Sequence, residues 1–183
     1  MLLQSVQNNL NTAIVNFNLK GVDGHFYSPE DFKDSKVLII IFMCNHCPYV
    51  KAVVERFVSF QEKFSGKGVQ LVGINPNDAT TYPQDSFENM IKFSKEYKIN
   101  FPYLIDETQE TTMSYGAVCT PDIYVYDKNR VLKYRGRWDN NWKDANNVTN
   151  KDIEIVTELL LQDSDITNVE QLPSMGCSIK WKS

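Results

Sequence analysis

A chain of 183 residues with 42% hydrophobic and 23% charged residues has the makeup of one globular domain with a sizeable core. Its net charge of −4 gives no basic surface for nucleic acid or an anionic membrane, and no apolar run approaches the roughly 20 residues of a membrane helix. Four cysteines are too few for a disulfide scaffold, and Met1 to Leu10 lacks the basic start and apolar core of a signal peptide, so the expected compartment is the cytoplasm.

Residues 1–13 carry no periodic signal and read as an N-terminal extension. Val15, Phe17 and Leu19 alternate with Asn16 and Asn18, which predicts a half-buried edge strand over Ile14–Leu19. A turn at Gly21–Gly24 and a return at His25–Tyr27 complete an N-terminal hairpin. Ser28-Pro29-Glu30-Asp31 is a capped start for a short helix through Phe32. Val37–Phe42 has no polar residue and reads as a parallel strand buried on both faces. Past Cys47, Val50, Val53, Val54, Phe57, Phe60 and Phe64 recur at helical spacing, and Gly66-Lys67-Gly68 ends that helix. Val69–Asn75 is a second buried strand, Pro76–Pro83 a loop and Ser86–Lys98 a helix. Phe101–Ile105 is a third strand, and Asp106–Tyr115 a short helix closed by Gly116. Ile123–Tyr126 and Val131–Arg137 form an antiparallel hairpin, Trp138–Val148 is polar and irregular, and Thr149–Asp152 opens a last helix. The tail 163–183 has little periodicity. This order is that of a single α/β domain over residues 1–183, with a mixed sheet flanked by helices.

The chemistry concentrates in Cys44-Asn45-His46-Cys47, where the first buried strand turns into a helix. The first four N–H groups of a helix lack internal partners and carry partial positive charge. A thiolate at Cys44 is expected to be stabilised there, below the free value of about 8.5, and a protonated His46 would favour it further. Cys47 lies a turn deeper and is expected to be better shielded. The pair therefore reads as an attacking thiol, Cys44, and a resolving thiol, Cys47. Lys51, Glu55 and Asp122 are the nearest charged candidates for helping Cys47 lose its proton. The competing readings are an inert thiol pair and half of a metal site. A structural zinc site usually has four ligands, often as two close pairs, and Cys119 and Cys177 do not form a second one.

Four segments taken together resemble a known family. They are Cys44-Asn-His-Cys-Pro-Tyr-Val50, Phe101-Pro-Tyr-Leu-Ile-Asp-Glu-Thr108, Tyr115-Gly-Ala-Val-Cys-Thr-Pro-Asp122 and Gly176-Cys-Ser-Ile-Lys-Trp-Lys182. Over about residues 12–182 the chain is similar to thioredoxin-fold proteins of the alkyl hydroperoxide reductase/thiol-specific antioxidant branch, with an extra strand and helix inserted after the motif helix. The resemblance implies that Cys44 is the nucleophile, Cys47 the resolving thiol and Pro121 a cis-proline facing them. It also implies that Thr120 offers backbone hydrogen bonds to an extended substrate. Cys119, two residues before Pro121, is then an auxiliary thiol, a further metal ligand or a small buried hydrophobe. Cys177 is a candidate to fold back towards it, and four cysteines allow three pairings. Trp138, Trp142 and Trp181 cover the site, meet a partner, or anchor loops.

The chain departs from the family in ways that bear on activity. Peroxiredoxins carry proline and threonine ahead of the peroxide-reducing cysteine, where this chain has Val37 and Ile41. Thioredoxin's tryptophan is replaced by Met43, and its buried acid by Leu38. Protein disulfide isomerase has a histidine at the place of His46, which predicts a potential on the oxidising side of thioredoxin's roughly −270 mV. The expected function is that of a thiol–disulfide oxidoreductase needing no cofactor or metal. It would act on a protein or small-molecule disulfide, with a cellular thiol as reductant, and with neither nucleic acid nor membrane as partner. The alternatives are a thiol peroxidase with antioxidant activity, and a metal-binding protein using Cys44, Cys47 and His46 or Cys119.

Overall fold

In a computed structural model, residues 1–6 and 10–182 are described. Residues 7–9 of the N-terminal extension and residue 183 of the tail lie outside them. The strands are β1 Leu2–Gln4, β2 Leu19–Gly21, β3 Phe26–Tyr27, β4 Val37–Phe42, β5 Val69–Asn75, β6 Tyr103–Ile105, β7 Cys119–Thr120, β8 Asp122–Tyr126, β9 Leu132–Arg135 and β10 Met175–Ser178. The helices are α1 Pro48–Phe64, α2 Phe87–Glu96, α3 Glu110–Tyr115 and α4 Asp152–Leu161. Among the described residues, seven strands form the main sheet in the order β3-β2-β6-β5-β4-β8-β9. β4, β5 and β6 run parallel, while β8, β9 and the β2–β3 hairpin are antiparallel. No helix among them is long and apolar enough to cross a membrane.

β4 is central because every side chain from Val37 to Phe42 is apolar and fully buried. Alternation along a strand sends successive side chains to opposite faces. Val37, Ile39 and Ile41 join the layer of α1 and α4, while Leu38, Ile40 and Phe42 join Phe17, Tyr115 and Tyr124 on the other face. Burying one such side chain contributes about 1.5–3 kcal/mol, so this strand anchors both layers. α1 puts Val50, Val53, Val54, Phe57, Phe60 and Phe64 against the sheet. Gln61 ties the end of α1 to β5, donating to the Val69 carbonyl (3.2 Å) and accepting from the Leu71 N–H (2.7 Å).

Three features differ from the sequence reading. The edge strand expected at Ile14–Leu19 pairs only as β2, over residues 19–21. Its alternation survives as the burial of Phe17, while Ala13 makes an isolated bridge to Val131. The silent ends of the chain form strands. β1 and β10 pair with each other, and β10 pairs with β7, making a second, three-stranded sheet β1-β10-β7. These strands are too short to show a period. Finally, α1 begins at Pro48, with Cys47 as its N-cap residue.

Ile41→Ala removes methylenes from a site with no room to relax. It is expected to destabilise the fold by about 2–5 kcal/mol in urea denaturation with an unchanged m-value. A cost below about 1 kcal/mol would show that β4 is not the anchor described.

Candidate active site

The site is assembled where β4, α1 and β7 meet. Met43 extends β4 by one hydrogen bond, its N–H to the Ile74 carbonyl (2.9 Å), and its sulfur fits over Gly73, where an added Cβ would lie 2.8 Å away. The chain then turns through Cys44-Asn45-His46 into α1. The Thr120–Pro121 bond of the facing loop is cis. Thr120 touches both cysteines: its Oγ1 is 3.4 Å from Cys44 Sγ, and its carbonyl accepts the Cys47 thiol at 3.1 Å. Cys44 and Cys47 are both fully buried, so shielding does not distinguish them as the sequence suggested.

The Asn45–His46 turn is fixed by a residue that sequence reasoning missed. Asp85, fully buried, accepts the N–H groups of Asn45 (2.8 Å) and His46 (3.3 Å) on Oδ1. Its Oδ2 takes the Asn77 amide (2.7 Å) and the His46 Nδ1 (2.5 Å). Burial pushes Asp85 up, but the hydrogen bonds from His46 and Asn77 outweigh it and hold the carboxyl below its ordinary value. The bond from Asp85 in turn raises His46. Tyr82 stacks on the His46 ring at 5.8 Å, and the Tyr103 hydroxyl donates to the Asn45 side-chain Oδ1 (2.9 Å). In the sequence, Asp85 stands one residue before the Ser86 cap of α2, among ordinary loop residues; only folding brings it 40 residues back to Asn45.

The electrostatics of the pair follow from where α1 begins. With Cys47 at the N-cap, the helix amides face Cys47 rather than Cys44. The Cys44 thiol, the Val50 N–H, and the N–H and thiol of Cys177 all donate to Cys47 Sγ. These donors lower Cys47 to about 5, the Cys44 hydrogen bond being the largest contribution, and the thiol contact with the Thr120 carbonyl belongs to the protonated form. Cys44 is pushed well up by the same hydrogen bond, by burial and by the Asp85 charge. The two thiols are thus coupled through one hydrogen bond, which favours a single thiolate in the reduced pair, with Cys47 lowered and Cys44 raised.

The remaining candidates separate. Cys119 lies in β7 next to Thr120, so its side chain takes the opposite strand face; its sulfur reaches the Pro121 carbonyl (3.8 Å), and burial raises its pKa. Asp122 does not face Cys47 but pairs with the buried Arg135 (2.9 Å), while Lys51 and Glu55 are exposed. Trp138 packs on Phe57 and Phe60, Trp142 lies 4.3 Å from the Tyr49 ring, and Trp181 is exposed. Among the described residues, the donor atoms that converge as a metal-ligand set are those of Cys44, His46 and Asp85, within 4.8 Å of one another. Four N–H groups already occupy the carboxylate oxygens of Asp85, which have about four lone-pair sites in all. A cation there would displace them.

Residues 10–135 match the AhpC/TSA family. The chain belongs to that family. An uncharacterized conserved protein from Geobacillus kaustophilus is 41% identical and superposes with a TM-score of 0.93, covering 100% of this chain and 97% of that one. Chloroplastic peroxiredoxin Q of Oryza sativa is 28% identical over 130 residues, 67% of this chain and 56% of the relative, so the chain matches little more than half the length of that protein. The thioredoxin domain of a thiol-disulfide oxidoreductase from Bacteroides vulgatus (17% identical, TM-score 0.60, covering 70% of this chain and 89% of that one) shows the thioredoxin fold.

Two measurements check this electrostatic picture. Thiolate absorbance of the reduced protein is expected to titrate with a midpoint near 5, and the Cys47→Ser variant to lose that transition. Because the folded value lies below the unfolded one of about 8.5, Cys47 contributes stability that is complete above about pH 8.5 and is lost as pH falls through about 5. A midpoint that survives in Cys47→Ser would return the charge to Cys44. Separately, Asp85→Asn is expected to lower the His46 value towards about 6.5 in a ring-proton NMR titration. An unmoved His46 would remove Asp85 as the cause of its shift.

Proposed function

We propose that this protein is a thiol–disulfide oxidoreductase in which Cys44 forms the mixed disulfide and Cys47 resolves it. The observation that carries this reading is Thr120: one residue holds both sulfurs, at 3.4 and 3.1 Å, directly before Pro121. Cys44 attacks one sulfur of a client disulfide as its proton passes to the adjacent Cys47 thiolate. A Cys44–client disulfide forms and the first client thiolate leaves, to be protonated by solvent. Cys47 then attacks Cys44 and its proton goes to the second client sulfur, leaving a Cys44–Cys47 disulfide and two client thiols. The reverse sequence oxidises a client. A groove of about 270 Å³, bordered by Val53, Pro121, Trp142 and Met175, lies along the Pro121 loop and suits an extended segment. Stabilisation of the Cys47 thiolate favours the reduced form, which supports a potential above thioredoxin's roughly −270 mV.

A second reading, thiol peroxidase, draws on the peroxiredoxin Q relatives and on the Thr120 hydroxyl, which stands 3.4 Å from Cys44 Sγ although Ile41 supplies none. In that case Cys44 would become a sulfenic acid that Cys47 resolves to a disulfide and water.

Competition on the fully reduced protein separates the two. The oxidoreductase reading expects faster thiol loss with oxidised glutathione than with hydrogen peroxide, and a stable glutathione adduct on Cys44 in Cys47→Ser. Faster reaction with peroxide, through a Cys44 sulfenic acid, would overturn it in favour of the peroxidase.

A further inference from the structure

The cycle above leaves one thiol at the site without a role. β10 places Cys177 opposite Thr120, the residue that touches both Cys44 and Cys47. Residues directly opposite in antiparallel strands share a face, so Cys177 stands on the same side as the pair. It packs against the cluster that contains Cys44 and Cys47, and its backbone N–H and thiol favour the Cys47 thiolate. Cys119, its strand neighbour's counterpart, takes the other face.

This approach is built into the chain. Gly176 precedes Cys177, and a Cβ there would lie 1.9 Å from the Thr120 oxygen, 2.5 Å from its carbonyl carbon and 3.0 Å from the Pro121 nitrogen. Any other residue would push β10 off the loop. The tail is also fastened on both sides of the cysteine. Ser174 and Ser5 exchange hydrogen bonds at 2.9 and 3.0 Å, and the Ile179 N–H meets the Val118 carbonyl (3.1 Å). The Lys180 carbonyl accepts the Asp78 N–H (2.8 Å), and the Lys180 N–H donates to Asn77 (2.9 Å). Unlike the fully buried sulfur pair, Cys177 is partly exposed.

We propose that Cys177 is a third redox thiol, which exchanges with the Cys44–Cys47 disulfide at Cys47 and carries the oxidised state towards the surface. The proposal rests on the oxidoreductase reading. Cys177 Sγ attacks Cys47 Sγ; the Cys47–Cys177 bond forms and the Cys44–Cys47 bond breaks. The electron pair goes to Cys44, which takes up the proton lost by Cys177, so one disulfide replaces another without net oxidation. A reducing dithiol then attacks Cys177, becomes a disulfide itself, and returns Cys47 and Cys177 to thiols. Timing follows from charge. In the reduced site, burial and the Cys47 thiolate push Cys177 up to about 11. Oxidation of Cys47 removes that negative neighbour, while the Lys180 ammonium still favours the Cys177 thiolate.

The test is disulfide mapping by mass spectrometry after limited oxidation with glutathione disulfide and alkylation in acid. In the wild-type protein, both Cys44–Cys47 and Cys47–Cys177 links are expected. Cys44→Ser is expected to convert to the Cys47–Cys177 disulfide, with loss of alkylation at both residues, and Cys47→Ser to keep Cys177 free. A Cys44–Cys47 link without any Cys47–Cys177 link, in the wild type and with a persistent glutathione adduct in Cys44→Ser, would overturn this proposal and leave the oxidoreductase reading intact. A Cys44–Cys177 link forming readily in Cys47→Ser would overturn the assignment of Cys47 as its partner. Absence of any Cys44–Cys47 link would overturn the oxidoreductase reading itself.

Discussion

Thr120 meets Cys44 through its hydroxyl, Cys47 through its carbonyl and β10 through its strand pairing. Each of these contacts depends on a different part of the chain. The hydroxyl and carbonyl act only if β4 and α1 deliver the two cysteines to the same point, and the pairing requires the last residues to return across the molecule. A buried polar group must find its partners within the protein, because water is not there to supply them. The site satisfies that rule by letting one residue serve three elements.

The same rule explains Asp85. A carboxylate with no exposure is costly unless its oxygens are filled, and here four N–H groups fill them. Those bonds fix the backbone of the Asn45–His46 turn as well as the His46 ring. The turn therefore keeps one geometry while the sulfurs beside it change partners. Asp85 positions the turn and Thr120 meets the sulfurs, which leaves the sulfurs held but chemically free. That combination suits a site whose reaction moves electrons between nearby sulfur atoms.

The position of charge within the pair depends on which residue begins α1. Had α1 begun at Cys44, its amides would have lowered that thiol. Because the helix begins at Pro48, the Val50 N–H and the donors of Cys177 converge on Cys47, and the neighbouring Asp85 opposes charge at Cys44. A strand-to-helix junction is legible in a pattern of apolar residues, but its first helical residue is fixed less closely.

The sequence by itself determined the central layer. Six apolar residues from Val37 to Phe42 could only be a strand covered on both faces, and the stripe from Val50 to Phe64 could only lie on such a sheet. It also located Cys44, Cys47, His46, Thr120 and Pro121, because short-range spacing and ordered motifs are properties of the chain. Tertiary structure decided what surrounds them. Asp85 carries no local signal, for a loop aspartate looks like many others, and Cys177 stood out only as part of a terminal motif whose role the sequence did not give. Their meaning arises from contacts across 40 residues and more, and such contacts are set by how β4, β7 and β10 converge rather than by any period in the sequence.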